Sequence, residues 1–547
     1  MRNLKSLILG LLCSFLIASC SDEEQYRILY SITLDETEIN LEAGKTNSID
    51  FSVYPSDISL NFDIEEGNCL LELKRIKDNK EPENYKLVNV EQLFDDNNNP
   101  IVGKYRAYFE DQNLKNNYND DVRLTLTVKT EDGGFFSFSS SGFNIKYTYD
   151  EKIKKLLNTG LTLVQIETVN GEEPTCDYVS PPAGCAGAGI KNATKVPGKL
   201  IIMKDSNILY NSREYEKGES GMTLKIRGNT SAYYKKKPFK IKLQKKADLL
   251  SRNNEQKYKD KDWLLLNYDQ LRSLAGFKLN ELLNMQWTPS FQFVNLLING
   301  DYRGLYLLAE SVKRDSDCRI NVDKTGFIIE YDAYWWNEDV YFVSDWIFPL
   351  NYTFKYPDEE EITEEQIAYI KNCIDTLEAS INEEGSYEKY MDVESWVKWM
   401  LGHDILGTND SWGSNLYITK YDNKDSSKLM MGNLWDFDSN YLMPDSWSNV
   451  HTSTAHYFNK LFNNKNDLFK KAYKSIWKGI NHNTFVKMND YLTSFEKSEI
   501  AGCIDKSIIL QNERWGTKFP FVSEEIQKTK TWFTSRQKLL DNLISDM

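Results

Sequence analysis

Between residues 26 and 149, apolar and polar positions alternate with a period of two. Ile32-Thr33-Leu34 and Glu38-Ile39-Asn40-Leu41 open the pattern, and Ser48-Ile49-Asp50-Phe51-Ser52-Val53-Tyr54-Pro55 follows the Ala43-Gly44 turn. Arg123-Leu124-Thr125-Leu126-Thr127-Val128 and Phe136-Ser137-Phe138 repeat it. Successive side chains of a strand point to opposite faces, so each run predicts a strand with one buried face. Several short strands separated by turn signals predict an antiparallel all-β sandwich over this region.

After Asp150 the texture changes. Lys199-Leu200-Ile201-Ile202-Met203 reads as a strand, whereas Glu364 to Leu377 and Glu388 to Leu406 carry apolar residues at helical spacing. Strands first and helices later predict an α+β unit over 160–547, with a helical part after residue 444.

The first segment reads as an address. Arg2 and Lys5 precede an apolar run from Leu7 to Ala18, too short to span a bilayer, and Ile17-Ala18-Ser19-Cys20 closes it. Small residues before a cysteine resemble the lipobox of bacterial lipoproteins, which implies cleavage after residue 19 and a lipid anchor on Cys20. The acidic Ser21-Asp22-Glu23-Glu24 that follows resembles the surface-export signals of Bacteroidetes-type lipoproteins. The expected location is the outer membrane, facing the cell exterior. The strand-rich region behind it resembles the immunoglobulin-like spacer domains of such proteins.

Composition narrows the function. Lysine and arginine number 66 against 81 aspartate and glutamate, a formal charge of −15, which disfavours a general nucleic-acid binder. With 41% hydrophobic residues the chain can fill a core, which excludes disorder as its main state. Four histidines and no CxxC pair make a structural zinc site improbable. In an exported protein, Cys176 and Cys185, close together in a Pro/Gly-rich stretch, predict a local disulfide staple.

Four short segments carry chemistry. Arg227-Gly228-Asn229-Thr230-Ser231 runs on to Lys236-Lys237-Pro238-Phe239-Lys240-Ile241-Lys242-Leu243, predicting a hairpin whose turn amides and hydroxyls can approach phosphate oxygens. Lys240 and Lys242 share a face of the second strand, and either can reach a phosphate. Ser273 to Leu283 reads as an amphipathic helix on which Glu281 could orient one of these lysines. In His403-Asp404-Ile405-Leu406-Gly407-Thr408-Asn409-Asp410-Ser411-Trp412-Gly413-Ser414-Asn415, a helix ends near Gly407 and a strand begins at Leu416. Asp410 and Asn415 there have the Asp-x₄-Asn spacing of a kinase catalytic loop. Gly432-Asn433-Leu434-Trp435-Asp436-Phe437-Asp438 places two carboxylates at the end of a strand, a donor set for Mg²⁺ or Mn²⁺.

Together these segments resemble the CotH family of spore-coat-protein kinases. Lys261-Asp262-Trp263-Leu264-Leu265-Leu266-Asn267-Tyr268-Asp269 and Asn299-Gly300-Asp301-Tyr302-Arg303-Gly304-Leu305-Tyr306-Leu307-Leu308-Ala309-Glu310 also match, and the motif core spans 200–443. The resemblance implies an atypical protein-kinase-like fold that uses ATP and a divalent metal to phosphorylate Ser or Thr of an exported or surface protein. It implies that Asp410 is the catalytic base and that Asn415 and Asp436, with Asp438 as a further candidate, ligate metal. Arg227, Asn229 and Ser231 would cradle phosphate, Lys240 or Lys242 would hold it, and Glu310 would lie near adenine. The alternative is a non-catalytic, lipid-anchored surface protein that binds protein or carbohydrate, for which the aromatic stretch Tyr331 to Phe348 offers a patch. Asp436 and Asp438 as a glycosidase pair fit less well, because i, i+2 carboxylates share one site rather than flank a sugar.

Overall fold

The computed structural model describes residues 30–41, 47–58, 60–62, 67–111, 117–130, 132–147, 150–185, 187–205, 207–252, 256–347, 350–383, 385–408, 414–437, 450 and 456–547. The Cys20 anchor lies outside these residues, as do Asp410 and Asp438. Among the described residues no helix is long and apolar enough to cross a membrane.

The molecule is mixed α+β. Residues 31–147 form two sheets. One runs Ser31–Leu34, Asn47–Tyr54, Pro100–Asp111, Tyr85–Phe94; the other runs Glu38–Leu41, Phe143–Tyr147, Tyr118–Lys129, Cys69–Arg75, with Phe135–Ser139 beside Tyr118–Lys129. Ser31–Leu34, Glu38–Leu41, Asn47–Tyr54, Tyr118–Lys129 and Phe135–Ser139 fall where the alternation places them, while the other strands lie outside those runs. The pairing is not wholly antiparallel, since Glu38–Leu41 runs parallel to Phe143–Tyr147. Phe51, Val53, Leu73, Tyr105, Phe109, Leu124, Leu126 and Ile145 bury their side chains in a core common to both sheets. Each contributes from every second position, as one-sided burial demands.

The next sheet closes on itself. Thr162–Thr168 pairs in parallel with Phe291–Ile298 on one side and antiparallel with Val196–Lys204 on the other. The circuit continues through Met222–Ile226, Phe239–Ala247, Asp260–Asn267 and Asp301–Glu310 back to Phe291–Ile298, a seven-stranded barrel. Its interior is filled by alternate residues from every strand, among them Val164, Ile202, Leu224, Ile241, Trp263, Leu296 and Leu308. A barrel of this size is a packed core rather than a channel. The outward positions divide between two neighbours. Leu163, Ile201, Met203 and Leu297 join the core of the N-terminal sheets, whereas Leu264, Phe293, Leu305, Leu307 and Ala309 join the core of the helices.

A five-stranded sheet follows, in the order Tyr341–Val343, Asn351–Tyr356, Phe327–Tyr331, Leu416–Lys420, Leu429–Met431. Helices Glu364–Asn382 and Val393–Leu406 pack with it in the same core. Thr363 and Gln366 form a reciprocal capping box at the start of the first. The second starts at Val393, not at Glu388, because Asp392 caps it by accepting from Ser395 N at 2.8 Å. It ends at Gly407, whose φ of 71° supplies the left-handed cap. Leu468–Glu496, Glu499–Trp515 and Val522–Ser545 complete the helical part.

Two further expectations need correction. Cys176 and Cys185 are free thiols: Cys176 packs against the barrel core, and Cys185 sits in the loop of the small Asp177–Val179/Gly189–Lys191 hairpin. The Met222–Ile226 and Phe239–Ala247 strands do pair, but a long excursion with a 3₁₀ turn at Thr230–Tyr233 replaces a tight Gly-Asn turn.

Candidate active-site cleft

Asn415 immediately precedes the Leu416–Lys420 strand, and the strand Leu429–Met431 that pairs with it leads into 432–437. Asp436 therefore lies beyond the strand end, at φ 57°, rather than within a strand. Asn415 is also left-handed, at φ 60°. Asparagine and aspartate tolerate this region better than most residues. The two side chains meet: Asn415 Nδ2 donates to Asp436 Oδ2 at 3.1 Å.

The helix Arg272–Leu282 seats the segment that carries Asp436. Asn280, fully buried, accepts from Leu434 N at 2.8 Å. Phe437 stands edge-on to Phe277, with ring centroids 5.2 Å apart, and lies directly over Gly276. On the preceding side, His403 Nδ1 and Thr408 Oγ1 are 2.6 Å apart and Tyr473 OH donates to Asp404 Oδ2 at 2.8 Å. These contacts fix the chain up to residue 408, two positions before Asp410.

Asp436 opens onto a cleft of about 510 Å³ between the barrel and the helices. Arg227, Lys235, Lys236 and Arg272 line it with basic groups and Asp269 and Asp436 with carboxylates, and Phe277, Trp435, Phe437 and Trp515 give it aromatic walls. Buried Tyr417 reports how close the charges lie. Burial pushes its hydroxyl well above the ordinary tyrosine value, Glu330 and Asp436 add to that, and Arg227 opposes it. Gly228 suits the turn because its φ of 81° is strained for any residue with a Cβ, and a Cβ there would also force the Ser231 hydroxyl to turn aside.

Lys236 is the basic residue most deeply committed to this cleft. Its Nζ donates to Leu305 O and lies 4.3 Å from the centroid of the Tyr306 ring. Burial pushes the ammonium well below its ordinary value. Asn267 Nδ2 donates to Lys236 O at 2.9 Å, and Tyr306 OH donates to Lys237 O at 2.9 Å, so the lysine segment is pinned to the barrel. Gln511 accepts from Leu305 N at 2.9 Å, fixing the far wall from the Glu499–Trp515 helix.

Of the sequence-predicted residues, Arg227, Ser231 and Asp436 line the cleft, and Asn415 touches Asp436. Asn229 lies beside Gly189 of the small hairpin. Lys240 forms an ion pair with Asp262 at 3.0 Å, and Lys242 is exposed opposite Asp262 in the next strand. Although burial alone would raise it, Lys240 and Lys313 hold the Asp262 carboxyl down at about 2. Glu281 pairs with Lys278 at 2.8 Å instead of with a strand lysine. Glu310 is buried, accepting from Arg252 at 2.7 Å and from Ser290 N at 2.9 Å, and pairing with Arg319. None of Lys240, Lys242, Glu281 and Glu310 lines the cleft.

Lys236, Arg272, Gln511 and Trp515 were not singled out from sequence. Lys236 carried a signal, its place in a triple-lysine run after the Arg-Gly-Asn turn. Gln511 and Trp515 come from more than 200 residues away and carried none.

Oxygen donors suit a hard cation, and Asn415 and Asp436 supply two at adjacent positions. Among the described residues no group of three His, Cys, Asp or Glu is arranged to hold a metal.

The CotH kinase protein family matches residues 224–540, more than half of the chain. The chain belongs to that family. The matched range takes in the Arg227–Ser231 turn, Asn415, Asp436 and the helix that bears Gln511 and Trp515, so the whole cleft is CotH territory. No curated protein matches the chain. Among solved structures, the major pilin subunit BcpA of Bacillus cereus and a single-residue variant of that pilin are similar at 8% and 7% identity, with TM-scores of 0.11 and 0.12. Each alignment covers 42% of this chain and 61% or 62% of the pilin.

Proposed function

We propose that this CotH protein is a metal-dependent kinase that transfers the γ-phosphoryl group of ATP to Ser or Thr of an exported or surface protein. The carrying observation is the Asn415–Asp436 contact at the mouth of a cleft whose other wall bears Arg227 and Lys236. Asn415 and Asp436, with Asp438, would hold Mg²⁺ or Mn²⁺, which when bound neutralises charge on the phosphoryl oxygens. Arg227, Lys235 and Lys236 attract the polyphosphate, while Trp435, Phe277 and Trp515 offer flat apolar surface to a base. Asp410 accepts the proton of the acceptor hydroxyl. In this reading most of the rate comes from positioning and electrostatics.

The reading extends to the rest of the chain. Cys20 anchors the protein by lipid to the outer membrane, and residues 26–149, as an immunoglobulin-like spacer, hold an atypical kinase domain away from that surface. Calorimetry with Mg-ATP or Mn-ATP tests the central claim: a clear titration supports it, and silence overturns it. Silence would favour a binding protein, for which Tyr341 and Trp346 offer exposed aromatic surface, with Trp335 packed on Tyr341 at 4.8 Å.

A further inference from the structure

We infer that Glu330, held by Lys355, is a positioning residue for the Asn415–Asp436 pair. The inference rests on the metal role proposed above for that pair. Glu330 lies in the Phe327–Tyr331 strand, which runs antiparallel to Leu416–Lys420 with Glu330 opposite Tyr417 and Tyr331 opposite Leu416. The ladder ends at Leu416. One residue earlier the backbone of Asn415 turns left-handed, and its N–H has no strand partner in that register. Glu330 supplies the partner from its side chain: Asn415 N donates to Glu330 Oε1 at 3.1 Å.

The second oxygen of Glu330 is committed elsewhere. Lys355 Nζ lies 2.8 Å from Oε2, reaching across from the neighbouring Asn351–Tyr356 strand. Glu330 is buried, and a buried carboxylate with neither partner would be costly. Asp332, two residues on, does not compete for Asn415. Its Oδ1 accepts from Tyr334 N at 2.8 Å and its Oδ2 from Thr353 Oγ1 at 3.1 Å. Three strands thus pass one constraint along: Lys355 fixes Glu330, Glu330 fixes the Asn415 backbone, and Asn415 aims its amide at Asp436.

A buried ion pair is poor value for stability alone, because well-packed apolar residues of the same volume often do as well. What this pair does supply is a geometric constraint on one residue. With Nδ2 given to Asp436, the amide oxygen of Asn415 is the atom left for a cation. Rotation of the 414–415 peptide would move both that oxygen and the hydrogen bond to Asp436. Misplacement of about 1 Å in such a site can cost about a hundredfold in rate.

The test compares Glu330→Met, which keeps the volume and removes the acceptor, with Glu330→Gln, whose amide oxygen still accepts. Two measurements are made on the whole protein: hydrogen exchange of the peptide spanning 414–420, and Mn²⁺ binding by electron paramagnetic resonance in the absence of nucleotide. Glu330→Met is expected to speed exchange at Asn415 and to weaken Mn²⁺ at least about tenfold, with Glu330→Gln recovering most of both. Lys355→Met is expected to fall between them. Wild-type protein that binds Mn²⁺ together with a Glu330→Met variant that binds it equally well overturns the positioning role alone. Failure of Glu330→Gln to improve on Glu330→Met also overturns it. Wild-type protein that binds no Mn²⁺ overturns the proposed function and the inference together.

Discussion

Asn415 and Asp436 stand 21 residues apart in the chain, both in left-handed backbone, and share a hydrogen bond of 3.1 Å. Neither residue holds its position through regular structure. The strand pair Leu416–Lys420 and Leu429–Met431 brings their segments together, and the side chains meet just beyond its end. The hydrogen bond therefore joins two side chains that both lie outside the sheet.

Removal of one donor gives the first prediction. Asp436→Ala is expected to abolish metal-dependent nucleotide binding, measured by calorimetry with Mn-ATP. Asp410→Ala is expected to spare that binding and to abolish phosphoryl transfer, measured with labelled ATP and candidate exported proteins. Undiminished transfer by Asp410→Ala protein would reject its assignment as base.

Part of this arrangement was legible in the sequence. The Asp-x₄-Asn loop, the Trp435-Asp436-Phe437-Asp438 segment and the Arg227–Ser231 turn are local patterns. Arg227, Ser231 and Asp436 line one cleft and Asn415 touches Asp436, whereas Lys240 and Lys242, one of which that reading also required, stand outside it. Period-two alternation located Ser31–Leu34, Glu38–Leu41, Asn47–Tyr54, Tyr118–Lys129 and Phe135–Ser139, but Tyr85–Phe94, whose burial does not alternate, left no such signal. Barrel closure was not legible. It depends on Thr162–Thr168 lying parallel to Phe291–Ile298, a pairing across more than 120 residues that leaves no local signal. For the same reason alternation put Lys240 and Lys242 on one face of their strand but could not show that Asp262, itself paired with Lys313, would engage Lys240 there.

Lys236 gives the second prediction. Its ammonium is buried against one carbonyl and one aromatic ring, with no carboxylate partner among its described contacts. Such a site costs stability, which is tolerable where the group serves a ligand. Lys236→Met is expected to leave the melting temperature unchanged or raised while weakening nucleotide binding about tenfold, an effect of about 1.4 kcal/mol. Lys240→Met should do the reverse, lowering the melting temperature through Asp262 and leaving nucleotide affinity near that of the wild type. Paired melting curves and nucleotide titrations check both variants.

Asp262 gives a pH dependence. Its folded carboxyl is held at about 2, below the ordinary 3.8 of aspartate, so its contribution to stability is fully present above about pH 4. That contribution is lost as the pH falls through about 2. Since Lys240 is partly exposed, solvent screening reduces the expected gain to about 1 kcal/mol. Denaturant titrations of wild type and Asp262→Asn should therefore differ by about this amount at pH 7 and converge between pH 4 and pH 2.

Gly276 links helix packing to the cleft. In an exposed helix interior, replacing glycine by alanine usually stabilises by about 1 kcal/mol, because glycine loses more backbone freedom on folding. Here a Cβ would lie 2.4 Å from Cδ1 of Phe437, whose ring is buried and already held edge-on by Phe277. The ring is the neighbour of Asp436 in the chain, so the room for a methyl group can come only from displacing the segment that bears the carboxylate. Gly276→Ala is therefore expected to destabilise by about 1–3 kcal/mol, the usual cost of overpacking, against its helix propensity. It should also weaken Mn-ATP binding, although residue 276 itself contributes no polar group. Gly276→Ala combined with Phe437→Leu, which frees volume at the same point, should recover most of the stability. If the single variant melts at or above the wild-type temperature with unchanged nucleotide affinity, Phe437 is not the wedge that sets Asp436 in place.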